Sequence, residues 1–516
     1  MQSDRRNFIK FVVAGSVAAG CPVDLALLAA PPTSPAVDGE NNEICHQVRD
    51  GHQFSRPPAS ARHDIVIVGG GMSGLSAAWF LRDQDFLLLE KESHWGGNAY
   101  LEEYAGQAFA TGSAYTSKHE SGPQQLCKEL GIEPLPIADP DGLILNREFV
   151  PHAWREGLDH LPYPKSVRES FRKFKQDMLK VDLMQRAREL DAVPLTTLLK
   201  DYAPELTAWW NTYGPSNWGA AAADTSALVG LGDFQDFAGE APDERETFPG
   251  GLGAISQKLA ERLNASHGDR MFGGATTVAV EQGKSDVIVT YVHEGQVKAV
   301  AAKAVIMAAP KFIARRLVAG LPQAQQDAMH KMRYAPYPVV NVIFNWDPNN
   351  KPVFNGGYDT WCPGNTFTDV IVADWVIRNL PISGRKNSIL TFYTPLREAD
   401  RARLLTEDGA RDLAANVLRD WQKLLPGQDI DPIEVHIYRR GHPMFMATPG
   451  TYTKLIPAAR QPMERIFFAN TDSTGPVSMT SGAIEASRRA IGEMKRMLAR
   501  GAGTPPRRAD TPVSAD

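Results

Sequence analysis

Apolar positions along this chain come in two rhythms. Residues 65–68 (IVIV) and 86–89 (FLLL) are short unbroken apolar runs, as expected of strands buried on both faces of a parallel sheet. Between them, 75–81 continues as a helix, and further strand runs fall at 278–280, 287–291, 304–309 and 466–469. Residues 167–184 and 195–210 instead carry apolar side chains at three- and four-residue spacing, which predicts helices. A last block, 339–346, 370–376, 388–393 and 434–438, reads as strands, with a helix over 407–425. The pattern is α/β, and the unbroken-run strands are so scattered that the domain they build is discontinuous.

Gly69, Gly71 and Gly74 follow the first strand run with G-x-G-x-x-G spacing, and the second run ends at Glu90. The first glycine makes a tight turn, the second lets backbone approach a pyrophosphate, and the third lets helix and strand pack closely. The helix N-terminus faces the phosphates, and the carboxylate accepts hydrogen bonds from a ribose. Strand, turn, helix and acid agree, so the motif predicts a dinucleotide cofactor. Six residues after Glu90 stands the pair Gly96-Gly97. Residues 465–490 (RIFFANTDSTGPVSMTSGAIEASRRA) give a strand, Asp472 and a helix opening at Gly482-Ala483. Residues 247–263 (TFPGGLGAISQKLAERL) add a Pro-Gly-Gly-x-Gly helix entry, and 276–310 adds three strands.

Taken in order, these segments resemble the flavin-containing amine oxidase superfamily, which also embraces carotenoid-type desaturases and protoporphyrinogen oxidases. The resemblance implies a discontinuous Rossmann-type FAD-binding domain over 62–150, 242–332 and 456–500. It implies an inserted α+β substrate domain, a mixed sheet plus helical cap, over 151–241 and 333–455. The candidate cofactor contacts are Gly69, Gly71, Met72, Ser73, Gly74, Glu90, Lys91, Gly96, Gly97, Asn98, Thr111, Gly112, Ser113, Val278, Ala309, Asp472, Ser481, Gly482 and Ala483. The family's covalent cysteine sits just before the C-terminal motif; no cysteine follows Cys362, so FAD is expected to be noncovalent. Asn470-Thr471-Asp472 replaces the usual glycine–acid pair. Aligned on the family, Asn341 stands where a lysine is common, and Met479 stands where the aromatic cage has a tyrosine. These two are the candidate flavin-facing catalytic positions, and their identity favours a dehydrogenase that passes electrons to a carrier over a typical oxidase; the acceptor itself, oxygen, a quinone or a cytochrome, is left open.

The expected reaction moves hydride from a substrate C–H to flavin N5, most readily from the carbon next to an amine nitrogen, and it needs no strong general base. A di- or polyamine is the favoured substrate. Two alternatives share the flavin motifs: a C–C desaturase, and a flavin-binding accessory protein without turnover.

Residues 4–10 (DRRNFIK), followed by the apolar 11–19, resemble a twin-arginine signal. That implies a signal peptide over 1–30, an extension over 31–61, and export of the folded protein to the periplasm by the twin-arginine machinery. Cleavage near Ala29-Ala30 competes with a weak lipobox ending at Cys21, which would give a lipid-anchored form. The soluble form is narrowly favoured, because Ala18 stands where a lipobox carries leucine. Residues 44–54 (ICHQVRDGHQF) are similar to the stretch ahead of the FAD motif in exported spermidine-dehydrogenase-like proteins. Some of these carry haem b, which makes His46 a candidate iron ligand; an ordinary surface histidine is the simpler reading.

Composition changes this picture little. The chain has 516 residues, 43% of them hydrophobic, enough for two cores. A net charge of −5 gives no ground for nucleic-acid binding. The four cysteines lack zinc or haem-attachment spacing. Trp154, Trp209, Trp210 and Trp218 in the helical insertion are expected in its core. His436 and His442 are cavity candidates, with a structural role the simpler one. The acidic run 233–246 offers carboxylates to a cationic substrate or forms a solvated loop. Residues 501–516 read as a disordered tail.

Overall fold

The computed structural model describes residues 34–137, 141–239, 244–345, 354, 356–378, 387–425, 432–475 and 479–499. The expected signal peptide, the Cys21 processing site and the expected tail lie outside the described residues.

The strand Ala61–Val68 pairs in parallel with Phe86–Leu89 on one side and Gln296–Met307 on the other. Met271–Phe272 extends the sheet beyond Phe86–Leu89. The long strand Gln296–Met307 changes partner along its length. Residues 296–302 run antiparallel to Val287–His293, while 305–307 run parallel to Ile466–Phe468. Helices Met72–Phe80, Gly253–His267 and Thr480–Ala499 cover one face around Leu75, Leu88, Ile306 and Ile484. Lys311–Leu317 and Gln323–Lys331 cover the other. Burial on both faces is why these strands read as unbroken apolar runs.

A second, eight-stranded sheet stands beside it, in the order Ala36–Gly39, Pro432–Arg439, Val339–Asn345, Asn387–Tyr393, Asp369–Val372, Asp359–Trp361, Asp141–Leu145 and Glu148–Pro151. Its composition departs from expectation at two places. The hairpin 141–151, expected with the cofactor domain, pairs here through Asp359–Trp361. Residues 36–39 of the N-terminal extension add a parallel edge strand, with Ala36 opposite His436 and Gly39 opposite Arg439. One face buries Val340, Val342, Val370, Leu390 and Phe392 against helix Glu407–Leu424 and its Trp421. The opposite face carries Asn341, Thr391, Tyr393 and Tyr438 toward the segment 109–114 of the cofactor domain.

The helical insertion is more broken than its periodicity predicts. The expected helix 167–184 is two, Lys165–Met178 and Leu183–Asp191, because the Asp182 carboxylate accepts from the Gln185 N–H at 2.9 Å and starts the second. The expected helix 195–210 likewise splits into Thr196–Leu199 and Pro204–Trp218, with Pro204 opening the latter. Trp154, Trp209, Trp210 and Trp218 pack with Phe171, Phe174 and Phe234 in one aromatic core. Cys45, Cys127 and Cys362 are free thiols. Among the described residues no helix is long and apolar enough to cross a membrane, and no cluster of His, Cys, Asp or Glu is placed to hold a metal ion.

Candidate active site

The strand-to-helix turn after Val68 is backbone-lined by necessity. A methyl group on Gly74 would sit 1.7 Å from the Gly69 carbonyl oxygen, so this glycine lets the helix lie on the turn. At Gly71 the nearest atom to such a methyl, the Gly97 Cα, is 3.8 Å away, an ordinary contact without a clash. Gly96 and Gly97, with φ of 116° and 58°, approach from the other side. Glu90 ends the neighbouring strand and is buried. Its carboxylate accepts from the Gly70 N–H and, at 2.9 Å, from the Glu92 N–H, while burial holds its pKa above the usual range.

These loops form one wall of a cavity of about 380 Å³. Of the candidate cofactor contacts, Gly69, Gly71, Met72, Ser73, Glu90, Lys91, Gly96, Gly97, Asn98, Ser113, Ala309 and Ala483 line it, and Met479 stands at its edge, half exposed. The others do not. Gly74 packs beneath the turn. Val278 is the bulged residue of its strand, and Ala275, Thr276 and Thr277 form the wall in its place. Thr111 is held by the Arg440 guanidinium through its carbonyl and, at 2.7 Å, its hydroxyl. The Gly112 carbonyl accepts from Tyr393. Ser481 donates to Glu120 at 2.8 Å, and the Gly482 carbonyl accepts from Thr474 at 2.8 Å.

Asp472 is the largest departure. Instead of facing the cavity it is fully buried, 2.6 Å from the equally buried Lys311 ammonium, and it accepts from the Tyr334 hydroxyl at 2.7 Å. Asn470 and Thr471 reach the cavity in its place. Asn341 also turns away from its expected role. It is fully buried in the larger sheet, donating to the Ala110 carbonyl at 3.0 Å and accepting from Thr391.

The cavity has an aromatic lining as well. Tyr334, Tyr438, Phe312 and Phe445 line it, with His442 tilted against Phe312 at 4.8 Å between ring centroids. Burial, aided by Arg401, pulls the His442 pKa down to about 4, so its ring is neutral at pH 7. Tyr438 donates to Glu102 at 2.6 Å. Arg440 is buried beneath, bonded to Thr111 with no carboxylate in ion-pair range among the described residues. His436 stays outside the cavity, 2.9 Å from Glu434. His46 is on the cavity lining, on a helix of the N-terminal extension. The acidic run 233–246 begins in helix Ala227–Ala238, where Asp233 is bonded to the Tyr213 hydroxyl at 2.7 Å rather than offered to solvent.

The lining fits an elongated dianionic cofactor. Five cations, Arg49, Lys91, Arg316, Arg439 and Arg440, face it against four carboxylates, Asp38, Glu40, Glu90 and Glu92. The Thr277 hydroxyl in the same wall has no protein partner among the described residues. A glycine trench, a carboxylate for a ribose and a cationic surround are what a pyrophosphate-linked dinucleotide requires. When bound, a flavin would accept the hydride; the chain's part is to hold it, exclude water and present the substrate against it. Sequence reasoning missed the aromatic wall and Arg440. The cavity candidate His442 was its one visible trace, because these residues come from segments hundreds of residues away from the glycine motifs.

Comparison with known proteins agrees with this geometry. The family model for flavin-containing amine oxidoreductases matches residues 72–493. The flavin-containing amine oxidase B of Bos taurus is 24% identical over 483 residues, covering 84% of this chain and 86% of its own. The oxidoreductase PigB of a Serratia strain is 26% identical over 280 residues, but this spans only 39% of its length. Among solved structures, wild-type putrescine oxidase bound to putrescine superposes with a TM-score of 0.66 at 20% identity, covering 84% of this chain and 99% of that one. A protoporphyrinogen oxidase-like protein from an Exiguobacterium species gives 0.63 at 17% identity, over 86% of this chain and 99% of that one. With its glycine trench, aromatic wall and a family match across most of its length, this chain belongs to the flavin-containing amine oxidoreductases.

Proposed function

We propose that this protein is an exported, FAD-dependent oxidoreductase that removes hydride from the carbon next to the nitrogen of a di- or polyamine. The observation that carries the reading is the aromatic part of the cavity lining, where Tyr334, Tyr438, Phe312 and Phe445 are grouped on the same cavity as the glycine loops. Aromatic faces and carboxylates are the surfaces an alkylammonium seeks. The neutral His442 ring adds a hydrogen-bond acceptor without repelling a cation. A diamine offers one nitrogen for oxidation and a second charge for the aromatic faces. FAD is held without a covalent bond in this reading, and the electrons pass on to oxygen, a quinone or a cytochrome. The N-terminal DRRNFIK segment supports export to the periplasm.

The test is an anaerobic titration of the purified flavoprotein with putrescine, spermidine and simple monoamines, followed at the flavin absorption band. Bleaching by the diamine or polyamine at lower concentration than by the monoamines is the expected result. A flavin that no amine reduces would overturn the amine reading and leave the desaturase and accessory alternatives.

A further inference from the structure

The segment 34–54 has no place in the glycine motifs or in the substrate sheet's core, yet it lies across the cavity. Its first part, Ala36–Gly39, is hydrogen-bonded to the edge of the larger sheet. The chain then crosses to the cofactor domain, where the Asn41 N–H donates to Glu92 at 2.8 Å. Helix Glu43–Arg49 follows, with Cys45 and His46 on the cavity lining. The segment thus ties the two sheets together beside Glu92, two residues from the carboxylate that the glycine motif assigns to a ribose, and shares the cavity lining with it.

We propose that this segment is part of the cofactor site, a strap that covers the adenosine half of FAD and must lift before FAD can leave. The inference rests on the flavin reading of the cavity. Three observations give it direction. Cys45 stands in the electrostatic field of Lys91, Glu90 and Glu92, the residues at the ribose end of the cavity. Thr276 and Thr277 on the neighbouring strand complete that end, and the strap helix packs beside them. The Arg316 guanidinium, on the far rim, donates to the Arg49 carbonyl at 3.2 Å and closes the ring.

The latch is light. The strap helix has no fully buried residue, and only Ile44, Cys45 and Val48 are half buried. Elements with so little buried apolar surface open at low free energy compared with the domain they cover. Bound FAD fills the space behind the strap and favours the closed form; by reciprocity the closed strap slows FAD release. A noncovalent cofactor is then retained by a door rather than by a bond.

The experiment measures FAD release from the holoenzyme after large dilution, followed by the recovery of free-flavin fluorescence. In the I44D/V48D variant two of the three docking contacts become carboxylates, and release should accelerate at least tenfold. The single variant Cys45→Trp, too bulky for the space behind the helix, should accelerate it several-fold and guards against a folding defect in the first. Tryptic cleavage after Arg49 should speed up in both. Release within twofold of wild type in both variants overturns the proposal. A wild-type protein purified without any flavin spectrum overturns the cofactor reading itself, which is a different failure.

Discussion

Asp369 and Asp233 are buried carboxyls whose partners are hydroxyls rather than cations: Ser216 and Thr368 for the first, Tyr213 for the second. Burial pushes both pKa values up to about 7. The sign follows from linkage. Between the unfolded value near 4 and the folded value, the native state binds more protons, so these groups cost stability as pH rises through that window. Asp369→Asn keeps an acceptor for both hydroxyls and removes the charge. It should raise the melting temperature at pH 8 by the equivalent of a few kcal/mol (on the order of 1.4 per pKa unit) and leave it almost unchanged at pH 4. His442 runs the other way. Its folded pKa of about 4 lies below the unfolded value, so protonation of the unfolded chain erodes stability as pH falls from about 6.5 to 4. The Lys311–Asp472 pair is the third case. Lys311→Met would strand a buried carboxylate and should cost roughly 3–5 kcal/mol, read as a lower denaturation midpoint, whereas an exposed ion pair such as Lys165–Glu169 should cost under about 1.

Among elements, the turn between Val68 and Met72 separates folding from binding within three residues. Gly74→Ala would drive a methyl into the Gly69 carbonyl and should yield little soluble protein. Gly71→Ala meets only ordinary contacts with Gly96 and Gly97 and has an ordinary extended backbone, so the protein should fold with a near wild-type melting temperature. Its methyl occupies cofactor space, so the same protein should be colourless. Equal flavin content in Gly71→Ala and wild type would refute this division of labour. The turn also marks how far the sequence was legible. The strand 86–89 and the glycine spacing were readable because their determinants are local: buried runs, a tight turn, a close approach. Asp472 misled because an acid at a strand end looks the same whether it faces a ribose or a lysine 161 residues earlier. Val278 misled because a bulge shifts which residues face the cavity by one position, and no local signal announces it. The helix breaks at Asp182 and Pro204 were written in capping chemistry that periodicity alone overlooks.

At the scale of the whole molecule, a flavin site is built where two sheets meet, and neither wall is sufficient alone. The glycine loops line the cavity from one sheet, Tyr438 comes from the larger sheet, Tyr334 and Phe445 from a short two-stranded ribbon, and the extension reaches the edge of the larger sheet and the cavity. Acid precipitation of the protein should therefore release yellow flavin into the supernatant. A yellow pellet would mean a covalent bond and would shift attention to Cys45, the one free thiol on the cavity lining among the described residues. Replacing Arg5 and Arg6 together with lysine should keep the protein in the cytoplasm, checked by fractionation for flavin and antigen.

The edge strand Ala36–Gly39 finds its partner at 436–439. In time rather than space, this means that the first strand among the described residues waits for about 400 more residues to be made before it can pair. Until then the far edge of the nascent sheet stays open, a window in which chaperones and other chains compete for it. The N-terminal extension therefore docks late, only after the chain has been made as far as residue 439.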